Sequence, residues 1–356
     1  VGTADHTHAV IAAQALAMGK HVYCEKPLTH TVYETRLLTR LAARHNVATQ
    51  MGNQGASGEG VRQTCEAIWS GMIGEVTRVE AFTDRPIWPQ GLETPTAVHT
   101  PHPELDWDLF IGPAKYRPYN EIYHPWNWRG WWDFGTGALG DMACHILQPV
   151  VKALNLKSPV AVQGSSTALM TDCAPNAQIA KFIFPARDNM PKVAMPRVEV
   201  TWYDGGLLPE YPQGWPAGRN MNDSGGAVIF HGTKDTLVCG CYGANPWLLS
   251  GREIPVPTLT REVPENNHYT DFIRACKESP ENRVKTASDF SEAGPLNEMV
   301  VMGVLAVRLQ GLNRELTWNG DAMQFTNISP TDTIRMKTKD GFSIKDGHPT
   351  FNHQYT

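Results

Sequence analysis

The chain is predicted to be α/β: a partial parallel βαβ domain followed by an α+β domain with a large, mostly antiparallel open sheet. Three observations predict this. Short strand-like runs alternate with helix-like runs over residues 1–55; β-branched and aromatic runs bounded by Gly, Pro and Asn/Asp clusters follow between 160 and 239; and 356 residues exceed one small core. The expected division is a parallel unit at 1–55, a connecting helix at 56–74, a substrate-binding and oligomerisation domain at 75–332 and a polar tail at 333–356.

The first helix is read at residues 7–18, rich in Ala and closed by Gly19, whose missing Cβ suits the left-handed turn after a helix. Residues 21–24 read as a strand. Thr31-Val32-Tyr33-Glu34 fits a capping box that opens a helix to about His45, and 47–51 supplies another strand. Three short strands alternating with two helices make a right-handed βαβ series the economical arrangement, resembling the second half of a Rossmann sheet. A helix at 59–70 leads into a strand at 75–83. The glycines of 52–60 are read as a flexible crossing between domains.

From 86 to 132 the composition shifts to Pro, Trp, Tyr and His in a long irregular segment of the kind that shapes binding surfaces. Strands follow at 160–163, 181–184, 197–203, 227–231 and 236–239, then helices at 268–277 and 289–310.

Composition narrows the partners. A net charge of −5 without a clustered Lys/Arg face offers nothing to neutralise a phosphate backbone, which argues against nucleic acid. The most apolar run, 299–307, stops at Arg308, short of the ~20 residues a membrane-spanning helix needs. The seven cysteines are odd in number and contain no C-x-x-C pair, so buried thiols are favoured over a disulfide scaffold or structural zinc. No targeting segment is visible, and the compartment stays open between cytoplasmic and exported.

Gly135-Thr136-Gly137-Ala138-Leu139-Gly140 matches G-x-G-x-x-G before a helix, yet lacks both the buried strand before it and the ribose-binding acid ~20 positions later. It is read as a tight turn presenting the helix beyond. The sequence opens at Val1 in the middle of a nucleotide-binding pattern, so the dinucleotide fingerprint is expected upstream of Val1.

Two stretches carry chemistry. Asp141 and His145 are four apart at a helix start, so they share a face and the carboxylate can orient the imidazole; histidine serves as a base near neutral pH with little tuning. The blander alternative is a helix-start Asp and a satisfied core His. Lys26 follows a parallel strand at its carboxyl end, where open α/β sheets bind ligands, and Pro27 restricts the backbone that aims it. Its alternative is a loop lysine paired with Glu25. In the aromatic segment, Trp88 and Trp128 offer faces for sugar rings while Arg85, Arg117, Arg129 and Asn127 offer hydroxyl-directed hydrogen bonds, against the alternative that the tryptophans are core. Asp5-His6-Thr7-His8 has no matching distant ligand set, so no metal is expected.

Glu25-Lys26-Pro27 after Gly19-Lys20-His21-Val22-Tyr23-Cys24, with Gly137-Ala138-Leu139-Gly140-Asp141 and His145, resembles the glucose-fructose oxidoreductase / inositol dehydrogenase family (Gfo/Idh/MocA) over most of the chain. The resemblance implies an N-terminal Rossmann domain, a second α/β domain whose open sheet mediates dimers or tetramers, and NAD or NADP as cofactor. It places Lys26, Asp141 and His145 in the catalytic positions, with His145 as base. Thr3, Asp5, His8, Glu25 and Lys26, with Asn53 and Gln54, would lie beside the cofactor, and Arg85, Trp88, Trp128 and Arg129 beside a carbohydrate substrate. The function implied is oxidation of a secondary hydroxyl of a sugar, polyol or glycoside. The alternatives are a retained-cofactor glycosidase or lyase using the same trio, and a cofactor-free sugar-binding or assembly protein.

Overall fold

A computed structural model describes residues 1–191, 193–222, 225–338 and 341–346. The parallel unit runs α1 (Asp5–Ala17), β1 (Val22–Glu25), α2 (Val32–His45) and β2 (Thr49–Gly52), with Val22 opposite Thr49 and Glu25 opposite Gly52. Two strands form rather than three. Val1 alone continues the sheet on the other side of β1, donating to the Tyr23 carbonyl at 2.6 Å and accepting from the Glu25 N–H at 2.9 Å. Thr31 caps α2 as expected, its hydroxyl accepting from the Glu34 N–H at 3.1 Å, while the Glu34 carboxylate reaches back to the His30 N–H at 3.1 Å.

Helix α3 (Glu59–Trp69) then leads into β3 (Val76–Phe82). The glycines of 52–60 are not a flexible crossing: a Cβ at Gly55 would stand 2.7 Å from Tyr242, and one at Gly60, in the first turn of α3, would stand 2.2 Å from the Gly243 carbonyl. They are close-packing positions where only hydrogen fits. The aromatic segment holds the short α4 (Trp107–Ile111), then come α5 (Gly137–Ile146) and α6 (Gln148–Ala153). Gly137, at φ +65°, makes the turn that starts α5, in accord with the reading of its glycine run.

The large sheet is built from β3, β4 (Ala161–Ser166), β5 (Gln178–Phe184), β6 (Val198–Tyr203), β7 (Ala227–Gly232), β8 (Thr236–Gly240), β9 (Trp247–Leu248), β10 (Leu316–Asn319) and β11 (Gln324–Phe325). Its order is β11-β10-β4-β5-β6-β3-β7-β8-β9, antiparallel throughout except for β3 beside β6. After α7 (His268–Lys277) comes α8 (Phe290–Arg308), in which only three of nineteen residues are not buried, so it is an interior helix and not a surface one. It packs on α2, α5, β4 and β5, and Gly164 of β4 admits it closely: a Cβ there would lie 2.4 Å from the Ala306 backbone.

Adjacent residues Asn297 and Glu298 are among those that tie α8 to the parallel unit by polar links. Asn297, fully buried, donates to the Thr29 and Thr35 hydroxyls at 2.9 and 2.8 Å, and Glu298 takes a two-pronged ion pair from Arg36 at 2.9 and 2.7 Å. The segment from residue 333, expected as a tail, forms an antiparallel hairpin of β12 (Thr333–Thr338) and β13 (Gly341–Asp346), with Ile334 buried against Gly311. The sequence carries the strand period here, Ile334 and Met336 alternating in one strand and Phe342 and Ile344 in the other, which the reading as a tail passed over; residues 347–356 of that expected tail lie outside the described residues. All seven cysteines are free and six are buried. Among the described residues, no helix is long and apolar enough to cross a membrane.

Asp204, just past β6, is fully buried and accepts from the Gln178 N–H, the Gln178 side-chain amide and the Trp202 indole at 3.0, 2.7 and 3.0 Å. Burial pushes its carboxyl up from 3.8 to about 7. A raised folded value means the native state holds the proton more tightly, so this stabilisation is present in acid and is lost as pH rises from 3.8 through about 7. In Asp204→Asn the new amide meets donors, lowering stability by about 1–3 kcal/mol in acid. Melting curves across pH should show a smaller fall in Tm toward alkaline pH for the variant than for the wild type; equal falls would refute the assignment.

Candidate active site

β1 delivers Lys26 one residue beyond its last residue, and α5 delivers Asp141 from its second turn and His145 from its last. Lys26 Nζ donates to Asp141 Oδ1 at 2.5 Å and to the Asp141 carbonyl at 2.9 Å, with both side chains less than one-fifth exposed. The same oxygen faces Arg129 Nε at 3.4 Å. Two cations from separate segments therefore share one carboxylate.

No hydrogen bond links Asp141 to His145, so the expected acid–base pairing of these two is not formed; the carboxylate is drawn to the nearer cations instead. His145 is buried, with Nδ1 out of solvent and without a hydrogen-bond partner among the described residues. Burial, helped by the Lys26 charge, pushes its imidazole down to about 3, so it is neutral at ordinary pH. Its ring lies 4.6 Å from that of Tyr242. Tyr242 was not anticipated. It holds a left-handed backbone (φ 63°, ψ 14°) in the turn after β8 and closes over His145; the only hint in the chain is its place before Gly243.

Asp5 lies behind this cluster, accepting from Thr136 Oγ1 at 2.7 Å, and burial pushes its carboxyl up to about 6. Thr3 is exposed and Glu25 half-buried at the carboxyl end of β1, where burial raises the Glu25 carboxyl. Glu25 crosses Gly52, whose Cβ would stand 2.3 Å from its Oε2. Gln54 donates to the Tyr23 and Tyr269 hydroxyls at 3.3 and 3.2 Å. His8 and Asn53 are fully engaged inside the protein. The His8 ring faces the Pro27 and Thr3 carbonyls at 2.8 and 3.0 Å, while Asn53 binds the Cys144 carbonyl, Gln148 and Ser288. Both can hold the neighbouring backbone in place, but neither offers a free polar atom to a ligand.

In the aromatic segment, Trp88, Trp107, Trp128, Trp131 and Trp132 are buried and Trp126 is half-exposed, so most of these tryptophans are core. The Arg129 guanidinium lies 4.4 Å from the centroids of both Trp126 and Trp128, occupying ring faces expected to stack on a sugar. The Trp88 indole donates to Gln90 at 2.9 Å. Arg85 pairs with Asp84 near Tyr242, and Arg117 is drawn away from the cluster by Asp133 and the Tyr123 hydroxyl. The His6 ring faces three backbone carbonyls, and among the described residues no three His, Cys, Asp or Glu side chains gather as a metal-binding group.

Residues 1–53 match the oxidoreductase family's NAD-binding Rossmann fold, and residues 59–182 match the same family's C-terminal alpha/beta domain. The chain belongs to the Gfo/Idh/MocA oxidoreductase family. A curated relative, an uncharacterized oxidoreductase of Schizosaccharomyces pombe, is 38% identical over 81 residues, which are 22% of either chain, so the match spans about a fifth of that protein's length. Among solved structures, levoglucosan dehydrogenase in complex with NADH and levoglucosan is 18% identical at a TM-score of 0.55, over 90% of this chain and 79% of that one. The WlbA dehydrogenase of Bordetella pertussis, in complex with NADH and UDP-GlcNAcA, is 15% identical at 0.54, over 89% and 78%. A putative oxidoreductase from Thermotoga maritima is 13% identical at 0.56, over 89% and 78%. At these identities the likeness is one of fold.

Proposed function

We propose that this family member is an NAD-dependent oxidoreductase acting on a secondary hydroxyl of a sugar, polyol or glycoside. The observation that carries the reading is the convergence of Lys26, Asp141 and His145, from segments over a hundred residues apart, at the carboxyl end of a parallel strand. The residues at that edge fit a nicotinamide: Thr3, Glu25 and Gln54 present polar groups there, with His8 and Asn53 bracing the backbone behind them. A bound nicotinamide dinucleotide supplies the hydride acceptor.

The chain's own part is positioning and proton transfer. Lys26, held by Asp141, donates a hydrogen bond to the reacting hydroxyl and stabilises negative charge on its oxygen. His145 takes the hydroxyl proton at Nε2, the nitrogen not sealed from solvent. The Lys26 charge lowers the hydroxyl's own proton affinity, which reduces the demand on a base as weakened by burial as this one.

The test is NADH formation by the full-length protein against a panel of sugars, polyols and aryl glycosides, using substrates deuterated at the candidate carbinol. Transfer of deuterium to the nicotinamide with retention of the glycosidic bond is expected. Release of the aglycone without net NADH identifies glycoside cleavage by transient oxidation instead, and no label transfer from any substrate rejects the reading.

A further inference from the structure

We propose that the substrate carries an anionic group with two coplanar or near-coplanar oxygens, a sugar carboxylate or phosphate, and that Arg129 binds it. This rests on the oxidoreductase reading above and names its substrate class. Arg129 sits on the 3-10 turn Asn127–Gly130, whose backbone is pinned: a Cβ at Gly135 would stand 2.6 Å from the Arg129 Cα, and one at Gly130 would stand 2.5 Å from the Pro89 carbonyl. The guanidinium rests against two indole rings, each centroid 4.4 Å away, which fixes its plane.

Only Nε turns to Asp141, at 3.4 Å. Among the described residues neither terminal amino group has a hydrogen-bond partner, and neither is sealed from solvent, the side chain being 24% exposed. A rigid guanidinium presenting two free parallel donors matches two oxygens of one anion. A hydroxyl would engage only one donor and leave the charge uncompensated, because Asp141 is shared with Lys26 and Asp5 is turned to Thr136. Since Lys26 and Arg129 flank the same Asp141 oxygen, a hydroxyl on one and an anion on the other belong to one sugar ring.

The experiment compares kcat/KM for NADH formation with a hexuronate, a hexose phosphate and the parent hexose, in wild type, Arg129→Lys and Arg129→Met. At least one anionic sugar should exceed the parent hexose by about tenfold or more, the better of the two identifying the anion, and Arg129→Met should shrink that ratio at least tenfold, with Arg129→Lys between. Preference for the neutral hexose, or an unchanged ratio in Arg129→Met, would overturn the proposal. Fluorescence titration of the wild type covers the case of variants that do not fold: Trp126 and Trp128 should respond saturably to the anionic sugar and not to the hexose, and equal responses would again overturn it. Oxidation of neutral sugars alone would defeat this inference and leave the oxidoreductase reading standing. A fluorescence response to the anion with no NADH from any sugar would do the reverse.

Discussion

His145→Ala is expected to lower kcat for hydroxyl oxidation by about 10³-fold, and Lys26→Ala by a similar factor, within the range that positioned proton transfer and charge stabilisation supply. The two losses should differ in character. Without the imidazole the carboxylates of the cluster are poor substitutes, since Asp141 is held by two cations and Asp5 is turned to Thr136. Without the ammonium, Asp141 keeps only the longer contact to Arg129, and the developing oxyanion loses its donor. The pH profiles separate the roles. Burial and the Lys26 charge hold His145 at about 3, and a base acts in its unprotonated form, so its fraction competent rises through about pH 3 and is complete well below neutrality. Removing the Lys26 charge lifts the largest cause of that depression after burial, and the acid limb of kcat/KM in Lys26→Ala should move to higher pH. Steady-state kinetics of both variants with unchanged far-UV and near-UV dichroism check this; an activity retained within tenfold in either variant removes that residue from the mechanism.

Asn297→Leu is expected to cost about 2–4 kcal/mol of stability and to impair catalysis, although its side chain is not at the reacting centre. Its amide donates to both Thr29 and Thr35, and all three residues are fully or almost fully buried. Leucine of similar volume fills the space but removes the donor both hydroxyls share and the acceptor of the buried Thr29 N–H at 3.5 Å, leaving the hydroxyls only each other and the Thr31 carbonyl, and a buried polar group deprived of its partner is penalised more than the bond itself was worth. Thr29 is three residues from Lys26, so the loosened segment is the one that aims the ammonium. Denaturant titration measures the first effect. The second appears in kcat more than in the affinity for substrate, and a variant destabilised by less than about 1 kcal/mol would contradict the role given to this contact.

What could be read from the chain divides along physical lines. The capping Thr31, the helix-closing Gly19 and the strand before Lys26 were legible because local interactions within a few residues decide them. The interior helix was legible from its apolar length. Strand β10 was not, since it is short and finds its main partner far away, Leu316 with Val162, across a gap no local pattern encodes; β11 is two residues long, and β12 and β13 form a local hairpin whose brief apolar alternation was passed over in a polar stretch. At the site, spacing put Asp141 and His145 on one helix but not in one hydrogen bond: the partner that wins the carboxylate comes from 115 positions away. Tyr242 escaped notice because nothing in its neighbourhood signals a tyrosine in a left-handed turn. The tryptophans of the irregular segment could be read either as sugar-stacking faces or as core, and most are core; which faces stay open depends on an arginine lying across them.

Helix α8 touches the parallel unit through α2 and the broad sheet through β4 and β5, with almost no side chain left to water. A rod embedded in both halves cannot be half-melted. Calorimetry should therefore record one endotherm, and breathing of the cleft must come from its surface loops, because swinging the two lobes apart would mean dissolving the axle they turn on.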